Sequence, residues 1–111
     1  MFTENSTPFG IAINRAGEVI GVEPEDAACL KLALEKGRRA VLPEVGLFAD
    51  GCAVAQVGKE TFRVVKNLVD EVITVGTDEM CAAIKDIFED TRSIAEPAGA
   101  LALAGLKHYV E

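Results

Sequence analysis

Short apolar runs and helically spaced apolar stripes alternate along this chain. Val19-Ile20-Gly21-Val22, rich in β-branched residues and ending at Glu23-Pro24, reads as a buried strand, and Glu71-Val72-Ile73-Thr74-Val75 as a second. Between them, Asp26 is expected to cap a helix running to about Lys36, with Leu30, Leu34 and the alanines inward and Gly37 as its C-terminal glycine. Gly58 precedes a helix to about Val69 that carries Phe62, Val65, Leu68 and Val69 on one face. Thr77 caps the next, whose first turn holds Asp78 and Glu79 and whose stripe is Cys81, Ile84, Ile87 and Phe88. Residues 44–55 form a loop or irregular edge with an Asp50-Gly51 turn. Phe9-Gly10-Ile11-Ala12-Ile13 is too short to assign between strand and helix; Arg15-Ala16-Gly17-Glu18 is a turn, and residues 1–8 read as a flexible lead. The alternation argues for an α/β fold, a short parallel sheet flanked by helices.

The last helix organises the rest. Pro97 suits a first helical position, and beyond it Leu101, Leu103 and Leu106 alternate with alanines and with Gly99 and Gly105. A helix apolar on all sides belongs in an interior. Each interior glycine costs about 1 kcal/mol relative to alanine, so the missing side chains should permit close packing against a neighbouring backbone. The other reading is that Glu96 stands at the mouth of a small-molecule site, with the helix N-terminus facing an anion.

Charge narrows the function classes. Eighteen acidic against eleven basic side chains give −7, which argues against non-specific nucleic-acid binding. No apolar run is long enough to span a membrane and the first residues do not read as a signal peptide, so the expected location is cytoplasmic. Cys29, Cys52 and Cys81 have neither zinc nor disulfide spacing. Cys29 and Cys81 read as small buried hydrophobes and Cys52, after a glycine, as the exposed thiol. His108, the only histidine, suits a helix C-terminus and has no evident partner as a catalytic base.

Two places have binding chemistry. Glu23, Glu25 and Asp26 follow a probable parallel strand, the end of an α/β sheet where ligands sit, and three carboxylates there either hold a hard cation or simply cap and charge a helix start. The Asp50-Gly51 turn with Glu96-Pro97 forms the second: glycine admits a ligand to the backbone, and a carboxylate beside an apolar site is a candidate acid.

From Val19 onward the chain resembles the later part of the catalytic domain of biosynthetic threonine deaminases (threonine ammonia-lyases), pyridoxal-phosphate enzymes of the tryptophan-synthase-β fold type. The resemblance is carried by VIGVEPEDAACLKLAL, LPEVGLFADGCAV, GKETFRVVKNLVDEVITV and DEMCAAIKDIFEDTRSIAEPAGALALAGLKHYV. It implies part of that fold's lobe, with residues 1–18 an atypical lead and 19–111 one α/β domain. It places Asp50, Gly51, Cys52 and Glu96 at the cofactor, Gly51 along the ring and Glu96 as an acid close by. Cys52 and Glu96 are the candidate catalytic groups. Glu23, Ala27 and Cys29 match a cation site, monovalent or divalent. The family's Schiff-base lysine, in a motif like SFKxRGA, has no counterpart, and its tetraglycine loop would fall where Thr3 through Phe9 stand. The expectation is a truncated relative that holds no cofactor alone and acts as a homodimer or as a partner of full-length threonine deaminase. The alternative is an L-threonine/L-serine dehydratase in a split or oligomeric enzyme, giving 2-oxobutanoate in isoleucine biosynthesis.

Overall fold

The computed structural model describes residues 9–13 and 16–110. The lead at residues 1–8 and the start of the Arg15 turn lie outside the described residues. Strand β2 (Val19–Pro24) is the centre of a three-stranded sheet ordered β1-β2-β3. It is buried on both faces from Ile20 to Pro24, which is why its sequence is a continuous apolar run instead of an alternation. Strand β3 (Glu71–Val75) pairs with it in parallel, Ile20 opposite Glu71 and Val22 opposite Ile73. The run left open at Phe9–Ile13 becomes strand β1 (Gly10–Ile13), antiparallel to β2, so the sheet is mixed. Asp70 fixes the β2–β3 register: its carboxylate accepts the Val19 N–H at 2.7 Å and its own N–H donates to the Val19 carbonyl at 2.9 Å.

Helices cover both faces. Helix α1 (Cys29–Lys36) and helix α2 (Lys59–Val65) lie on one, in a cluster of Cys29, Leu30, Ala33, Val57 and Phe62. Helix α3 (Thr77–Thr91) and helix α4 (Pro97–Val110) lie on the other, joined through Val22, Val75, Met80, Leu101 and Ala104. Among the described residues, no helix is long and apolar enough to cross a membrane.

Several local expectations change. Helix α1 starts three residues after Asp26, capped at Ala28 without a side-chain bond; Gly37 closes it as expected, with φ +72°. Helix α2 ends at Val65, because the chain turns at residues 66–68 and leaves Leu68 exposed. In α3 the cap is Gly76, one residue before Thr77, and Glu79 accepts the Gly76 N–H at 3.0 Å. Its inward stripe is Met80 and Ala83, with Ile84 and Ile87 half-buried. Cys81 and Phe88 point outward, a rotation of one position from the expected stripe.

The two glycines of α4 differ. A Cβ at Gly105 would lie 2.6 Å from Val22 Cγ1 and closer still to Cγ2, so the helix rides directly on the central strand. A Cβ at Gly99 would meet only Glu96 Cγ, at 3.7 Å, and needs no such explanation. Nor is α4 buried all round, since Leu106, Tyr109 and Val110 are exposed near its end. That end is held by Lys107, which pairs with Asp86, and by His108, whose Nδ1 lies 2.7 Å from Glu79 Oε2. The Gly76 N–H first, and then His108, keep the Glu79 carboxyl below its ordinary range.

Candidate functional site

The chemistry gathers where the carboxyl end of β2 meets the start of α1 and the loop before α2. Glu23 is the next-to-last residue of a strand that is apolar up to that point, and it is wholly buried. Its two carboxylate oxygens accept the Leu30 and Lys31 N–H groups at 2.9 and 2.8 Å. These are N–H groups of the first turn of α1, which no carbonyl within the helix can accept. Glu23 is therefore the cap that Asp26 was expected to be, supplied from seven and eight residues upstream. The Asp26 carboxylate lies instead against Gly46, whose N–H donates to the Asp26 carbonyl at 2.8 Å. Burial outweighs the backbone hydrogen bonds and holds the Glu23 carboxyl at about 7.

The three carboxylates of this segment do not converge. Glu23 faces inward, whereas Glu25 and Asp26 are exposed, with Glu25 directed at Gly76. Among the described residues, no group of three or more His, Cys, Asp or Glu side chains is arranged to hold a metal ion. Of the cation set that the resemblance implies, Glu23, Ala27 and Cys29 are all buried.

The second place is a corner between a 3₁₀ turn, Asp50–Cys52, and the start of α4. Here the structure brings together residues nearly fifty apart. A Cβ on Gly51 would lie 2.8 Å from the Ala98 methyl and 3.3 Å from Glu96 Oε1. The glycine is thus required by the approach of α4. Glu96 and Asp50 are exposed at the rim, and Cys52 turns inward onto the Val22–Val75 cluster.

Cys52 was expected to be the exposed thiol and is only 5% exposed; Cys81, expected inside, is the exposed one. Burial, followed by the charges of Glu23 and Glu96, pushes the Cys52 thiol up to about 11. Burial and Glu23 push Cys29 up to about 12. Cys52 is thus held as the protonated thiol, the less nucleophilic form. Titration of the native chain with an aromatic disulfide reagent at mildly alkaline pH should show one fast thiol, lost in Cys81→Ser. The other two should react about a hundredfold more slowly or less until the chain unfolds.

The family described as "Pyridoxal-phosphate dependent enzyme" matches residues 7–111. The chain is 59% identical over 93 residues to L-threonine dehydratase biosynthetic IlvA of Salmonella typhimurium, covering 84% of this chain and 18% of that protein. It is equally similar, 59% over 93 residues, to the mitochondrial threonine dehydratase of Saccharomyces cerevisiae, covering 84% of this chain and 16% of the other. It therefore spans less than a fifth of the length of these relatives. Among solved structures, the processed form of threonine deaminase isoform 2 from Solanum lycopersicum superposes with a TM-score of 0.78 at 44% identity, covering 83% of this chain and 28% of that one. Maize serine racemase superposes with a TM-score of 0.73 at 33% identity, covering 82% and 28%.

Proposed function

Since the chain belongs to the pyridoxal-phosphate dependent enzyme family, we propose that it is a threonine dehydratase-like segment that provides one wall of a catalytic domain, acts by associating with a further chain, and is not a threonine lyase by itself. The observation that carries this reading is what the corner at Gly51 contains. It offers a glycine backbone and the Glu96 carboxylate, yet residues 47–56 and 92–105 include no lysine. A coenzyme that reacts through its aldehyde requires an amine to hold it and hydrogen-bond donors for its phosphate. The corner does not fit that group unaided, and no chemical step through it is assigned to this chain. Its own residues have narrower tasks: Gly51 lets α4 close on the turn, Glu96 presents a carboxylate at the rim, and Glu23 anchors α1 beneath.

Association is supported by the exposed apolar side chains Ile11, Ile13, Leu106, Tyr109 and Val110, which a free monomer would leave in water. Mixing the purified chain with pyridoxal phosphate is expected to give no Schiff-base absorbance band, no borohydride-fixed adduct on a unique lysine, and no 2-oxobutanoate from threonine. A stoichiometric adduct on one lysine, such as Lys31, Lys59 or Lys85, together with oxo-acid formation, overturns the reading. Oxo acid that forms only after a companion chain is added supports it.

A further inference from the structure

We draw no further inference here: the strongest candidate, the open cavity of about 620 Å³ between the start of α1 and the loop at residues 42–46, is a cluster of the exposed carboxylates Glu25, Asp26 and Glu44 in which, among the described residues, no buried polar side chain stands without a partner to point to a ligand.

Discussion

Gly105→Val is expected to destabilise the fold by about 3 kcal/mol, the scale of forced overpacking in a core, despite valine's better helix propensity than glycine's. The new side chain would begin against both methyl groups of Val22, a wholly buried residue in the middle of the central strand. Neither partner has room to yield, because Val22 is held by neighbours in β1 and β3, and α4 by the packing of its own Leu101 and Ala104 in the cluster with Val75 and Met80. Urea unfolding at fixed protein concentration measures the loss. Adding Val22→Ala should recover a substantial part of it, and a double-mutant cycle would report the coupling. Gly99→Ala, six residues earlier on the same helix, is expected to stabilise by up to about 1 kcal/mol, because its methyl meets only ordinary contact. Equal losses at the two positions would show that helix packing on Val22 is not what selects glycine at 105.

The second large effect is a dependence on pH carried by Glu23. Its carboxyl titrates near 7 in the folded chain, against 4.5 for the ordinary value, because burial disfavours the charge. The folded state then binds the proton more tightly than the unfolded chain between these two values. Stability contributed by this group is full below about 4.5, falls as pH rises through the window, and levels off above about 7. A shift of this size corresponds to about 3 kcal/mol at the conversion of 1.36 kcal/mol per pH unit. Glu23→Gln keeps an acceptor for one of the two helix N–H groups and cannot ionise, so its chain should lose most of the slope. Glu23→Leu should lose the slope as well, and also fray α1, because the Leu30 and Lys31 N–H groups would be buried without partners. A Glu23→Gln chain whose unfolding free energy keeps the parent's pH slope would place the titration elsewhere.

The fold class and the site were legible in the sequence to different depths. Strands β2 and β3 and the Gly37 stop could be read directly, because the apolar run, the β-branched residues and the glycine act through local backbone preferences. Strand β1 could not, since four residues carry too little periodicity and its identity depends on pairing with β2. Asp26 fitted every local rule for a helix cap; Glu23 displaced it because the fold carries a strand-end carboxylate to a helix start seven residues on. The available signal was a glutamate ending a strand otherwise apolar, VIGVE, where an acid must find buried partners. The exchanged exposures of Cys52 and Cys81 have the same origin. One lies in a turn drawn inward by its contact with the core, and the other sits one position off the stripe that Met80 and Ala83 define. The meeting of Gly51 with Glu96 and Ala98 is a tertiary fact: the turn and the carboxylate could be grouped by their binding chemistry, but no local preference in either stretch fixes the contact.

The pairing of β2 with β3 has a kinetic cost at the ribosome. The Val19–Asp70 link joins residues 51 apart, so the central strand emerges during synthesis long before its parallel neighbour. Until Glu71–Val75 and then α4 have left the exit tunnel, only the short β1–β2 ribbon can shelter Ile20 and Val22, and the nascent chain exposes its most adhesive segment throughout that interval.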